Sequence, residues 1–469
     1  MKILFYVDPA KLFESYSYSA AVLHDHLLRF CGSALLRSGR VELKTIASEL
    51  AVIQNRATGI LGSLDVRPFP YGDLRRVFPD DRSLAGFSLR NFRGDLTDDE
   101  QTRFSVVVRG ILGDWEPDIV ISYPANFGPV QRTFPKALCL VMENGVFSRA
   151  PLPRTLRFDA LGLMHGFPNR YAREIFDTTL DEGQRRKVAE FVAGIRDRVS
   201  RASPWAGELA EARARFRHLL LCPVPYGNFY GEAAYDDQFL WLEDVLERVP
   251  ADCGVVITFH GDISAQVNGR TIGYFRERHP NLLAFESDDP VRSQSLWFFP
   301  FVDAILNCET MTGLLGSIFG PKVVALDRTY SGWFADGIGL ESLPQALSSS
   351  GRDRAGLIHW LMTHFTVYEN RFDDPDWYCR YFEDKLARYR RSGVGFGLYG
   401  QIEDFGAVAD DILSRLDRPF ESTGCAAGVS VPAAPERHSL GECLRWKICE
   451  SLIPWRRERY AEKLRRCGF

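Results

Sequence analysis

Four stretches of this chain set polar side chains at the ends of apolar runs, where they could meet a ligand. The first ends on Glu143, followed by Asn144 and Gly145. A carboxylate closing a hydrophobic strand is placed to move a proton in a cleft, or else to order its own loop. The second is a Pro/Gly-rich turn after Cys222 that carries Asn228 and Glu232. The third closes on His260, with Gly261 and Asp262 next. An imidazole there suits an anion or a sugar as well as a structural role, and Asp262 suits a ligand contact or a helix cap. The fourth holds Asn307, Thr310, Thr312 and Gly313, where a helix is predicted to begin near Thr310. Hydroxyls and a close-approach glycine beside unpaired helical N–H groups suit a phosphate or a carboxylate; a threonine that simply caps the helix is the other reading.

These stretches need strands to position them, and the chain supplies two series of short apolar runs. Residues 2–7, 41–46, 117–122 and 136–142 read as buried strands of a first α/β unit, with a helix over Ala21, Leu23, Leu27 and Leu28 after the first strand. Residues 181–217 read as helical, with Val188, Phe191, Val192 and Ile195 at helical spacing, and form a bridge. A second series follows at 218–222, 254–258, 282–285, 304–306 and 323–326, separated by helical stretches. Strands alternating with helices mean a parallel sheet covered by helices, and ligands bind at the C-terminal ends of such strands. The expected layout is a Rossmann-like unit over 1–180, the bridge at 181–217, a second Rossmann-like unit over 218–416, a linker at 417–438 and a basic tail at 439–469. No elements are placed between residues 64 and 109.

Composition limits the classes of function. The 469 residues exceed what one core holds, so two domains are the expectation. A formal net charge of -4 gives no reason to expect nucleic acid. Ten cysteines without CxxC pairs, several in apolar strands, fit reduced core thiols and a cytoplasmic setting. No stretch reads as a signal peptide or a membrane span, so membrane contact is expected only at the periphery.

Taken together, the four stretches resemble the bacterial capsule-polysaccharide biosynthesis and Kdo transferase families, which use the acidic sugar Kdo supplied as CMP-Kdo. The resemblance runs from about Phe5 to Asp327. It rests on Glu143-Asn-Gly with Phe147, Ser148, Arg149, Pro151, Pro153, Thr155, Asp159 and Gly162, on the turn at Pro223, on His260, and on Asn307, Thr310, Thr312 and Gly313 followed by Gly320-Pro-Lys-Val-Val324. It implies a GT-B glycosyltransferase, with two Rossmann-like domains facing a cleft. His260 and the Thr310, Thr312 and Gly313 loop would contact the donor phosphate and the Kdo carboxylate, and Glu143 would face the acceptor. It also implies that no metal or other cofactor is needed, and the chain offers no DxD flanked by apolar residues at a strand end.

Two positions depart from the family pattern. Gly261 follows His260 where proline is usual, and Asn228 stands where retaining members carry a nucleophilic aspartate. An amide cannot form a glycosyl ester. Either Glu232 takes over, or the register differs, or the enzyme inverts with Glu143 as base, or the chain is a sugar- or nucleotide-binding subunit without catalysis. A transferase of UDP- or GDP-sugars using Glu309 and Lys322 is a further alternative.

Residues 439–469 carry eight basic and four acidic side chains interleaved with Leu444, Trp446, Ile448, Leu452, Ile453 and Trp455. This pattern suits an anionic inner-membrane surface, where each Lys or Arg contributes about 1 kcal/mol, or docking on a partner enzyme. Deleting the chain from Ser439 onward is expected to lower co-sedimentation with anionic liposomes at low salt without unfolding the two domains; equal sedimentation of full-length and truncated protein would remove the membrane reading.

Overall fold

The computed structural model describes residues 1–7, 9, 32–58, 64–78, 90, 94–123, 127–148, 151–162, 164–225, 238–259, 269–285, 294–327 and 330–418. The helix expected over 21–28, most of the linker, and the tail lie outside these residues.

The first sheet contains β1 (Lys2–Val7), β2 (Glu42–Ser48), β3 (Asp65–Phe69), β4 (Ile119–Tyr123), β5 (Leu138–Asn144) and β6 (Thr155–Asp159). The second contains β7 (His218–Val224), β8 (Cys253–Phe259), β9 (Leu282–Ala284), β10 (Ala304–Asn307), β11 (Lys322–Ala325) and β12 (Gly337–Ile338). A last strand, β13 (Val367–Tyr368), goes back to the first sheet. The strand orders are β3-β2-β1-β4-β5-β6-β13 and β9-β8-β7-β10-β11-β12. All pairs are parallel except β5 with β6 and β6 with β13. Each sheet therefore reverses its order once, between β1 and β4 and between β7 and β10, as a doubly wound sheet does. These are the two Rossmann-like units expected from the strand pattern.

The continuous apolar runs have a simple cause, since both faces of each sheet are covered. Ile3, Phe5 and Val7 face one core while Leu4 and Tyr6 face another. In β7, Leu219 and Leu221 join the first of these cores, and Leu220 and Cys222 join a third. A strand buried on both faces has no polar side to alternate with. Cys139, Cys222, Cys253, Cys308 and Cys379 are buried free thiols, as reduced core cysteines should be.

The bridge helix Glu182–Ala202 starts with a capping box: Asp181 accepts from Gln184 N at 2.8 Å and Gln184 Oε1 accepts from Asp181 N at 3.0 Å. It buries Val188, Phe191, Ile195 and Val199. This stripe packs on the 3-10 segment Ser295–Phe301 of the second unit and on the helix Phe405–Leu416, with the Phe191 and Phe405 rings edge-on at 5.9 Å. One continuous core thus runs from Phe5 through Phe191 to Ile305 and Ile412.

The second unit is shorter than the 218–416 expected. After β12 the chain goes back: the helix Ala355–Trp360 packs on Ala172–Phe176, β13 extends the first sheet, and the helix Pro375–Ser392 packs on Ser33–Arg37. Short elements held by distant partners leave little local pattern to read. Among the described residues no helix is long and apolar enough to cross a membrane.

Gly356 marks how tightly the returning segment docks. A Cβ there would lie 2.6 Å from the Phe176 carbonyl oxygen and 3.0 Å from that of Ile175. Gly356→Ala, which in an unconstrained helix interior would stabilise by about 1 kcal/mol, is instead expected to destabilise by about 1–3 kcal/mol through overpacking. The lowered urea midpoint of the variant checks this, and a raised midpoint would contradict the close docking.

Candidate functional site

The site is built from the C-terminal end of β5 and the strand that follows it. Because β6 runs antiparallel to β5, Arg157 lies directly opposite Glu143 in the ladder. Arg157 Nη2 donates to Glu143 Oε2 at 2.6 Å, with the guanidinium side chain only 1% exposed and the carboxylate 17%. The same oxygen accepts from Met164 N at 3.0 Å. Among the described residues Oε1 makes no hydrogen bond. Glu143 therefore orders its neighbourhood through Oε2.

Asp159 and Tyr399 hold the turn after β6. The buried Asp159 carboxylate accepts from Leu161 N at 2.8 Å and from Phe167 N at 3.0 Å. Tyr399 donates from its hydroxyl to Phe158 O at 2.6 Å and accepts from Ala160 N at 3.0 Å. Within this turn Met164 and His165 lie in the left-handed region, at φ 53° and 65°. Among the described residues only one other non-glycine residue has positive φ, Glu309 at 48°, and it lies in the loop of the second unit that leads into Met311. Each such residue costs roughly 1–3 kcal/mol and persists only where the surroundings over-determine it.

His165 is fully buried beside Arg157. Burial, followed by the Arg157 charge, pushes its pKa well below the usual histidine range, so the ring is neutral and accepts from Arg157 Nη1.

The second unit contributes the loop after β10. Asn307 is completely buried and uses its amide on the loop itself: Oδ1 accepts from Gly313 N at 2.9 Å, while Nδ2 donates to Thr310 O at 3.0 Å and Ser331 Oγ at 2.6 Å. Asp327 accepts from Glu309 N, Tyr330 N and Ser331 N at 2.7–2.9 Å. Thr310 Oγ1 accepts from Thr312 N at 3.2 Å and donates to Thr312 Oγ1 at 3.1 Å. Gly313 is required because a Cβ would lie 2.4 Å from Asn307 Cγ. The first two N–H groups of the helix Thr312–Ile318 are thus satisfied within the loop. An anion arriving here would meet the half-exposed hydroxyls of Thr310 and Thr312 rather than these amides, and Asn307 acts as a brace behind them.

The two halves touch through Met311. Its Sδ lies 3.3 Å from Arg157 Nη1 and 2.6 Å from His165 Nε2. The Trp333 ring, also from the second unit, is 6.0 Å from that of His165. The structure therefore brings Glu143 and the 310–313 loop together, as the strand-end argument requires. Asn228, Glu232 and His260 lie outside the described residues, which end at Pro225 after β7 and at Phe259 in β8. Lys322 does not join the site: it starts β11, in register with Ala304, and so sits at the N-terminal end of the strands. The pairing of Glu309 with Lys322 on one ligand is accordingly ruled out. Depressions lined by Asp303 and Lys322, and by Leu246 and His279, lie at that same end. Among the described residues no three His, Cys, Asp or Glu side chains gather as a metal site.

Arg157, His165, Met311, Asp327 and Ser331 were not foreseen as parts of the site. The signal available for Arg157 was a charge between Leu156 and Phe158, which called for a carboxylate partner nearby.

No family model matches the chain, and no curated protein matches it. Among solved structures it is similar to the beta Kdo 2,7 transferase of Thermosulfurimonas dismutans KpsC, at 12% identity and a TM-score of 0.36 over 61% of this chain and 90% of that one. The beta Kdo 2,4 transferase of the same KpsC gives 15% identity and a TM-score of 0.37 over 63% and 86%. The UDP-GlcNAc 2-epimerase from Neisseria meningitidis bound to UDP-GlcNAc gives 10% and 0.27 over 89% and 99%. Superpositions this loose leave the reaction to be read from the site itself.

Asp159 gives the site a pH signature. Burial pushes its carboxyl from the ordinary 3.8 up to about 7, against the pull of the backbone N–H bonds and Arg157. An acid whose pKa is raised in the folded state binds more protons folded than unfolded, so its stabilising contribution is complete below pH 3.8 and lost as pH rises toward 7. Lys385, stacked 3.7 Å from the Tyr399 ring and lowered by burial to about 7, has the opposite slope above that pH. The melting temperature of the wild type is expected to fall between pH 4 and 7 relative to Asp159→Asn, whose side chain does not titrate; parallel curves would contradict this.

Proposed function

We propose that this protein is a glycosyltransferase that moves an acidic sugar, Kdo from CMP-Kdo, onto a glycan or lipid-linked acceptor in capsule or lipopolysaccharide assembly. The observation that carries the reading is the junction at which an ion-paired carboxylate on one Rossmann-like unit meets a braced hydroxyl loop on the other, with Met311 in contact across it. Both halves lie at C-terminal strand ends, where α/β sheets bind ligands.

In this reading the second unit holds the nucleotide, with Thr310, Thr312 and His260 toward the donor phosphate. The acceptor hydroxyl attacks the anomeric carbon as the bond to the CMP phosphate oxygen breaks. Glu143 takes the hydroxyl proton through Oε1, the oxygen that Arg157 and Met164 do not use. Arg157 fixes the direction of that carboxylate. Asn228 favours this inverting route over one through a glycosyl ester, because it offers no nucleophilic carboxylate. The same residue also favours a second reading, a nucleotide- or sugar-binding subunit without turnover.

Two measurements separate these readings. Among CMP, UDP and GDP, CMP is expected to raise the melting temperature most, since a ligand at 100 times its dissociation constant adds about 2.7 kcal/mol to the folded state. A shift with UDP or GDP alone would replace the donor. Glu143→Gln, which keeps the shape and removes the proton acceptor, should lower turnover by about 10²–10⁴-fold with nucleotide binding retained. Turnover within about tenfold of wild type would sink the catalytic assignment.

A further inference from the structure

The buried guanidinium of Arg157 has too few acceptors. It offers five N–H groups in a fixed fork. Nη2 is matched by Glu143, but among the described residues Nη1 faces only the His165 ring and the Met311 thioether, and Nε has no partner. A thioether is a weak acceptor, and a buried cation ordinarily has its donors satisfied. A second buried donor without a partner among the described residues, Trp333 Nε1, belongs to the indole beside His165. Met311, in contrast, is only half-buried, so solvent reaches the outer side of the group that covers Arg157.

We propose that Arg157 is a subsite for the carboxylate of the sugar, and that Met311 is a stopper which this carboxylate displaces. The proposal rests on the acidic-sugar reading above. A planar monoanion matches the guanidinium edge by paired N–H donors. Met311 then serves two states. With the subsite empty it shields the cation with a polarizable, flexible side chain. With the sugar bound it swings away, and the loop carrying Thr310 and Thr312 is released from its contact with the first unit. Carboxylate binding on one unit and the donor-side loop of the other become linked through one side chain.

The test uses the full chain and three probes, free Kdo, its methyl ester and CMP, titrated by calorimetry into wild type, Arg157→Gln and Met311→Ala. Wild type is expected to bind Kdo at least about tenfold more tightly than the ester, the size of a charge-assisted hydrogen bond. Arg157→Gln should erase that preference and leave CMP binding unchanged. Met311→Ala should tighten Kdo several-fold with no effect on the ester, and this variant decides the matter if Arg157→Gln does not fold. A preference for Kdo that survives in Arg157→Gln, or weaker Kdo binding in Met311→Ala, overturns the subsite. Loss of CMP in place of Kdo in Arg157→Gln would mean that the anion bound is the nucleotide phosphate, which also overturns it. If CMP binds wild type but Kdo and its ester bind alike, the subsite fails alone; if neither CMP nor Kdo binds wild type, the acidic-sugar reading fails with it.

Discussion

A buried arginine opposite a glutamate in an antiparallel ladder is the constraint on which the rest of this site depends. A guanidinium removed from water is costly unless a carboxylate and further acceptors surround it, and breaking such a pair costs about 3–5 kcal/mol. Arg157 can meet Glu143 only if β6 reverses against β5. Beyond β6 the next turn is held by Asp159 and Tyr399, and it contains Met164 and His165 in left-handed conformations. The ion pair thus sits between a strand reversal and a strained turn, beside a histidine kept neutral first by burial and then by the Arg157 charge.

The facing loop is ordered by a different means. Asn307 and Asp327, at the ends of neighbouring parallel strands, use short neutral or charge-assisted bonds to backbone N–H groups and to Ser331. Nothing in that brace depends on the first unit. The hydroxyls it presents are therefore positioned before any ligand arrives, which is the condition under which binding loses least to ordering. Pre-formed loop and ion-paired carboxylate are independent constructions that meet at one flexible side chain.

Much of the framework was legible in the residues themselves. Lys2–Val7, His218–Val224, Ala304–Asn307 and Lys322–Ala325 are unbroken apolar runs because both faces are covered, and such runs are hard to mistake when turn residues bound them. β3 was not legible, since Arg67 and Pro68 interrupt it and it lies at an edge of its sheet. β6 was hidden by the charge at Arg157, and β13 is too short to carry a pattern. The same difference governs the site. Glu143 and the 310–313 loop were found because they terminate apolar runs, whereas Arg157, His165 and Met311 matter through register and tertiary contact. Asn228, Glu232 and His260 follow strands that were located correctly but fall outside the described residues.

The returning segment has a consequence for how the protein is made. Arg154 N donates to Glu369 Oε2 across 215 residues, and Tyr399 closes the turn after β6 across 241. A ribosome that has released the whole first sheet through β6 has not yet released the groups that hold its last strand in place. The nascent chain must keep that edge waiting, unpaired, while the second sheet is synthesised, and such waiting edges invite misassembly. The corner bearing Glu143 and Arg157 is consequently among the last parts of the molecule to be completed. A chain interrupted before Tyr399 would carry both residues and still lack the tie that sets them.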